Sequence, residues 1–238
     1  MITINNLQTV HTSNIVKDFL NHFNFIHSKN KKMIGVTLTD DLNYFILKYY
    51  LELNKDDLSL ADNFKELKKV SNKIDFSIPT SFAIGLKLDN NLNSKDYLHL
   101  KFGKNLKLNP KSNKLKFLSP ALLTYGVSIE KNKNIKEVKK YFYSKNEKEK
   151  IRQLFKLQVE LNDVDHFEIY ETKSNTKVNI IFDYFKDNCV LKFLTDNNLL
   201  KHYQNVQTIN KFFNRTPKYA GIDKNGNLSV YYSFTNTA

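Results

Sequence analysis

The chain is poor in the residues that usually fix a small protein's chemistry. It has one cysteine, Cys189, no tryptophan, four prolines and six glycines. A lone cysteine excludes an internal disulfide framework and a thiolate zinc site, and it fits a reducing cytosol. No run of about 18 apolar residues occurs, so no transmembrane helix is expected. Met1-Ile2-Thr3-Ile4-Asn5-Asn6 lacks a basic segment followed by an apolar one, so no signal peptide is read there. A cytoplasmic location is the resulting expectation. There is no GxxxxGK[ST] phosphate loop, no GxGxxG turn, no HExxH and no GxSxG nucleophile turn. His22 and His27 are five residues apart, a spacing that does not share a helix face. Asp40-Asp41 and Asp56-Asp57 are not followed by a third acid at the spacing of an aspartate-rich metal motif.

What is present begins with charge. The 238 residues carry 37 Lys and Arg against 24 Asp and Glu, a net charge of +13. Such a balance suits anionic partners, from phosphates to nucleic acid and acidic membranes, and equally a solvated surface. Apolar residues make up 41 %, enough for a packed core, and the aromatics are 18 Phe and 13 Tyr. The length fits a single domain spanning 1–238.

The informative feature is internal repetition. Short alternating runs occur at Met33–Leu38, Phe82–Leu88, Thr124–Ile129, Phe167–Tyr170 and Tyr219–Asp223. Gly35, Gly85, Gly126 and Gly221 hold the same place in four of them, and Glu168 holds it in the fourth run. Each run is followed by an Asn-, Asp- or Gly-rich turn and a second alternating run. The second runs are Phe45–Tyr50, Tyr97–Phe102, Val138–Tyr143, Val178–Phe182 and Leu228–Phe234. Period-two alternation rich in Tyr, Phe, Val and Ile predicts strands, hence five β-hairpins and about ten strands.

Helices are predicted between them. Val16, Phe19, Leu20 and Phe23 share one helical stripe, as do Phe64, Leu67 and Val70. Ser144-Lys-Asn-Glu147 reads as a capping box before Ile151, Leu154 and Phe155. Leu199, Tyr203, Val206 and Phe213 mark a last helix. The linker 104–121, with Pro110 and Pro120, reads poorly as helix.

Open sheets of ten strands tend to curl or split, and closure removes the edges. The expected fold is therefore α+β: a closed ten-stranded antiparallel β-barrel built from five ααββ repeats, with helices outside. The parity opposite the apolar one then faces the interior. It contains Lys48, Tyr50, Lys87, Tyr97, His99, Lys101, Lys139, Tyr141, Tyr143, Glu168, Tyr170, Lys177, Asn179, Ser229 and Tyr231. A ten-stranded interior leaves room for a ligand, and buried lysines demand an anion. The bland alternative makes this parity the wet face of an open sheet, though a wet face has no need of Tyr beside each cation.

Ala83-Ile-Gly-Leu-Lys-Leu-Asp-Asn-Asn-Leu92 leading to Tyr97-Leu-His-Leu-Lys-Phe102 resembles the ABBA prenyltransferase family. So does Tyr219-Ala-Gly-Ile-Asp223 with Leu228-Ser-Val-Tyr-Tyr-Ser-Phe234, and the likeness is greatest to the cyanobactin-type enzymes that modify ribosomal peptides. The resemblance implies a prenyltransferase. Its donor would be dimethylallyl or geranyl diphosphate, and its acceptor a ribosomal peptide or a small aromatic or nucleophilic molecule. It implies Lys48, Lys87, His99, Lys101 and Lys139 as diphosphate ligands. It implies Tyr50, Tyr97, Tyr141, Tyr143 and Tyr231 as a shield for the allylic cation, and an acid that takes up the acceptor's proton. Glu168 is the candidate for that acid, because it replaces the repeat's glycine on the interior parity; a salt bridge to a neighbouring Lys is its plainer role. Mg²⁺ fits as a counter-ion of the diphosphate, although no dedicated carboxylate cluster occurs. Preorganised cations stabilise a leaving diphosphate, and aromatic faces shield the cation it leaves behind.

Two other classes compete. Basic strands with interleaved Tyr suit a β-rich nucleic-acid-binding module, a partner the prenyltransferase reading leaves out. A non-catalytic barrel that holds a lipid or isoprenoid is the third reading.

Overall fold

A computed structural model describes residues 1–26, 28–53, 81–101, 122–129, 135–144, 148–171, 176–182 and 187–234. All ten expected strands form. They are β1 (Lys32–Leu38), β2 (Phe45–Leu53), β3 (Ser81–Asp89), β4 (Ser94–Lys101) and β5 (Leu122–Ile129), followed by β6 (Ile135–Ser144), β7 (Val164–Glu171), β8 (Thr176–Phe182), β9 (Tyr219–Asp223) and β10 (Leu228–Ser233). They pair antiparallel in one sheet, in the order β4-β3-β2-β1-β10-β9-β8-β7-β6-β5. The hairpins join through β2–β3, β6–β7 and β8–β9, and β1 against β10 links the two ends of the chain.

The turns explain themselves chemically. At the β3–β4 turn, Asp89 Oδ1 accepts from the backbone N–H of Asn91 and of Asn93. At the β9–β10 turn, Asp223 Oδ1 accepts in the same way from Asn225 and Asn227. Gly226 supplies the positive φ of 78° that this second turn requires.

The closed barrel expected from the sequence is corrected on two points. First, the ladder is open: β4 and β5 are its two ends, and although they approach each other, no pairing joins them among the described residues. Alternation assigns a residue to a face; it contains nothing about whether the two edge strands, β4 and β5, share a register. Second, the ααββ repeat is uneven. Two helices, α1 (Ile4–His11) and α2 (Asn14–His22), precede β1. One helix, α3 (Lys148–Leu154), and a 3₁₀ turn at Leu161–Asp163 precede β7. Helices α4 (Asp187–Asp196) and α5 (Tyr203–Phe213) flank a 3₁₀ turn at Leu200–His202 before β9. The helical stripe at Phe64–Val70 and the linker 104–121 lie outside the described residues. Ser144 belongs to β6, opposite Phe167, and residues 145–147 of the expected capping box lie outside the described residues.

The helices cover one face of the sheet rather than the outside of a closed barrel. Thr3 caps α1 by accepting from Asn6 N–H, and Ser13 caps α2 by accepting from Val16 N–H. Asn214, in left-handed conformation at φ 49°, ends α5. Their apolar stripes join the apolar strand parity in one core: Leu7, Val16, Phe19, Val206 and Ile209 meet Val36, Leu47, Tyr49, Ile180 and Val230. Burying such side chains is worth about 1.5–3 kcal/mol each. Asn205 of α5 accepts from Ile2 N–H and donates to Leu42 O, tying the N-terminus and the β1–β2 turn to the helical layer.

The other face is polar and curls inward. Burial pushes the Tyr50 phenol well up, and the negative charges of Glu52 and Glu168 push it further. Glu168 lies on β7, five strand steps from β2. In a flat sheet that separation is about 24 Å, beyond the range at which solvent leaves one charge much influence on another. The approach of β4 to β5, the two ends of the ladder, shows the sheet rolled so that β2 and β7 face each other across the polar side.

One consequence for stability sits in the helical layer. His202 is fully buried, and neither ring nitrogen has a hydrogen-bond partner among the described residues. Burial lowers its pKa, Lys201 lowers it further, and Asp40 opposes this. His11, stacked on Tyr49, is lowered by burial as well. Below the ordinary imidazole value of 6.5 the unfolded chain binds protons that the folded chain refuses, so stability is lost as pH falls through that value. Urea unfolding at about pH 7.5 and about pH 5.5 should show this loss, and His202→Leu should reduce it. An unchanged pH dependence in that variant would contradict the assignment.

Candidate functional site

The polar face brings the repeat's glycines and its cations into one arrangement. Gly35 on β1 stands between Tyr231 on β10 and Lys48 on β2. Lys48 in turn stands opposite Lys87 on β3. On the other side, Gly221 on β9 stands between Ser229 on β10 and Asn179 on β8, and Asn179 stands opposite Glu168 on β7.

Two of these glycines are spaces that other side chains fill. A Cβ on Gly35 would lie 2.5 and 2.6 Å from Tyr231 Cδ1 and Cε1, so the phenol ring lies across β1 where that methyl would be. A Cβ on Gly221 would run into Asn179 Oδ1 and Lys177 Cε. The lysine stem and the amide thus lie across β9. The glycine phase read in the sequence leaves the space that the Tyr231 ring fills at Gly35 and that the ends of the Asn179 and Lys177 side chains fill at Gly221.

The centre is Tyr231. Lys177, 4 % exposed, donates from Nζ to Tyr231 Oη at 3.2 Å. Its Nζ lies 5.2 Å from the ring centroid, and Lys48 Nζ lies 5.9 Å from it. Burial raises the Tyr231 phenol, but the charges of Lys177 and Lys48, with hydrogen bonds from Lys177 and Ser229, outweigh it and bring the pKa down to about 7. Next to it, Thr37 Oγ1 and Ser229 Oγ share a buried hydrogen bond of 2.7 Å. Asn179 Oδ1 is buried without a hydrogen-bond partner among the described residues. The arrangement offers cations for an anion, a phenol ionisable at neutral pH, and one acceptor for a ligand's N–H or O–H.

The sequence-derived set divides accordingly. Lys48, Lys87, Tyr50, Tyr231 and Glu168 share this face, with Lys48 beside Tyr231 and Glu168 felt by Tyr50. Tyr97 and His99 take their register on β4 opposite Gly85 and Ala83, and Lys101 opposite Ser81. Lys139 stands opposite Gly126, Tyr141 opposite Tyr170, and Tyr143 opposite Glu168. The side chains of Tyr97, His99, Lys101, Lys139, Tyr141 and Tyr143 lie outside the described residues. Tyr231 is more than an aromatic wall, because its oxygen bonds a buried ammonium. Lys177 was on the interior parity in the sequence without being singled out. Its neighbour Gly221, one ladder step away, was the signal that a long side chain crosses there.

No cluster of three His, Cys, Asp or Glu able to hold a metal occurs among the described residues, so the expected Mg²⁺ has no protein cage there. No described helix is long and apolar enough to cross a membrane. No protein-family model and no curated protein matches the chain.

The cradle has a direct test. Gly35→Ala should force the Tyr231 ring aside and destabilise the protein by about 1–3 kcal/mol in chemical denaturation. A variant as stable as the parent would show that the ring does not occupy that space.

Proposed function

We propose that the chain is a transferase that uses an isoprenyl diphosphate, dimethylallyl or geranyl, to alkylate a peptide or small aromatic acceptor. The observation that carries the reading is the placement of Lys48 and Lys177 at Tyr231, with Lys87 in register opposite Lys48, on the polar face. Lys48 and Lys87 stand directly opposite each other on neighbouring strands, which sets two cations side by side for an anion. As the carbon–oxygen bond of the donor breaks, negative charge grows on the leaving group, and fixed cations in a water-poor site stabilise it. Tyr50 and Tyr231 present electron-rich faces to the allylic cation. Glu168, across the curl from Tyr50, is the carboxylate offered for the acceptor's proton. The resemblance of the Ala83–Leu92 and Tyr219–Phe234 hairpins to the ABBA prenyltransferases supports the same reading.

The reading differs from a non-catalytic isoprenoid binder by turnover. Incubation with each donor and a panel of Tyr-, Trp- and phenol-bearing acceptors should give products heavier by one isoprenyl group in mass spectrometry. Lys48→Ala and Lys177→Met should each lower kcat by about 10²–10³ while the far-UV circular dichroism stays unchanged. Binding of a non-reactive thiodiphosphate donor should raise stability by about 2.7 kcal/mol at 100 times its Kd. Absence of any stabilisation by the dimethylallyl or geranyl analogue would overturn the proposal.

A further inference from the structure

Lys177 and Lys48 both act on one phenol. Lys177 is 4 % exposed as a residue, and its ammonium donates to Tyr231 Oη at 3.2 Å. That of Lys48 stands over the same ring. Gly35 fixes the ring in place, because the space a Cβ would need is the ring itself. A desolvated ammonium requires a nearby negative charge or strong acceptors, since its hydration is otherwise lost. We infer that Tyr231 is the resident counter-anion of this cationic site, and that a phosphate or diphosphate binding there replaces the phenolate, which takes one proton from solvent and becomes a neutral phenol.

The balance is simple. One O–H bond forms at Tyr231 Oη, one proton leaves the solvent, and the charge that neutralises Lys177 and Lys48 passes from the phenolate to the ligand's oxygens. The groups sharing the face set the direction. Lys177 on β8 and Lys48 on β2 favour the phenolate, and Lys87 on β3, opposite Lys48, adds to the positive side. Tyr219 and Asp223 on β9, Glu168 on β7, and Tyr50 and Glu52 on β2 are the neutral or negative groups of the same parity. With the two lysines turned to an anion, the burial that raises the phenol's pKa is no longer offset. Ligand affinity and proton uptake are then linked, and anion binding weakens as pH rises above the empty site's midpoint.

The inference rests on the reading of this face as a diphosphate site, and it adds a consequence for chemistry. A phenolate beside an allylic cation would itself be alkylated. A site whose phenol is neutral whenever donor is bound avoids that side reaction and regains the phenolate only after diphosphate departs.

The absence of tryptophan makes the test clean, because the near-ultraviolet band of tyrosinate has no indole beneath it. The full chain, free of ligand, should show one tyrosine ionising with a midpoint near 7. Saturation with inorganic pyrophosphate should move that midpoint up by about 1 to 3 pH units. At pH 8, titration with pyrophosphate should therefore remove about one tyrosinate's absorbance. Tyr231→Phe should bind pyrophosphate with no absorbance change, binding being followed separately by calorimetry. If the parent binds pyrophosphate and its tyrosinate signal stays constant, the counter-anion role is overturned and the anion site stands. If calorimetry shows no pyrophosphate binding to the parent, both the role and the diphosphate reading fall. Should Tyr231→Phe not fold, the parent's own midpoint with and without pyrophosphate decides the question.

Discussion

A lysine buried in a β-sheet is the constraint from which the polar face takes its form. Lys177 is nearly inaccessible, and desolvating an ammonium costs several kcal/mol unless a neighbour compensates it. The compensation comes from Tyr231 Oη, and it requires the phenol to lie flat across β1 and the lysine stem to lie flat across β9. Each of those crossings needs a missing side chain. Gly35 and Gly221 provide it, so two of the repeat's glycines exist for the sake of one charge pair rather than for backbone freedom. The curl follows the same logic: it half-buries Lys48, Tyr50, Lys87 and Tyr231 while leaving the apolar parity to the helices.

Much of this was legible before any coordinates. Strands of period two leave a strong trace, and every one of the ten predicted from alternation is present. Parity was equally readable, because one face had to be apolar: Val36, Leu47, Tyr49, Ile180 and Val230 are core, while Lys48, Lys177, Ser229 and Tyr231 are opposite. The glycine phase marked the right positions, although the sequence offered no reason for it; the reason is steric and appears only when neighbouring strands are placed in register.

What stayed hidden is what depends on non-local geometry. Closure of the sheet requires β4 and β5, consecutive in the chain, to share a ladder, and alternation within each strand encodes no pairing between them. Lys177 looked like any outward lysine on a strand. Its importance comes from partners contributed by β9 and β10, which lie more than 40 residues away in sequence. Tyr231 looked like one aromatic among several, and only the two ammonium groups beside it distinguish it from Tyr50, whose phenol moves in the opposite direction.

The chemistry proposed for the face depends on Lys177 and Tyr231 forming one energetic unit. A double-mutant cycle on folding stability measures that directly, with Lys177→Met, Tyr231→Phe and the pair compared with the parent by urea unfolding at pH 8. Two residues in one half-buried hydrogen-bonded contact should be non-additive, with a coupling of at least about 1 kcal/mol. Single effects that add to within about 0.5 kcal/mol would show that the two side chains do not interact, and the account of the site would fail.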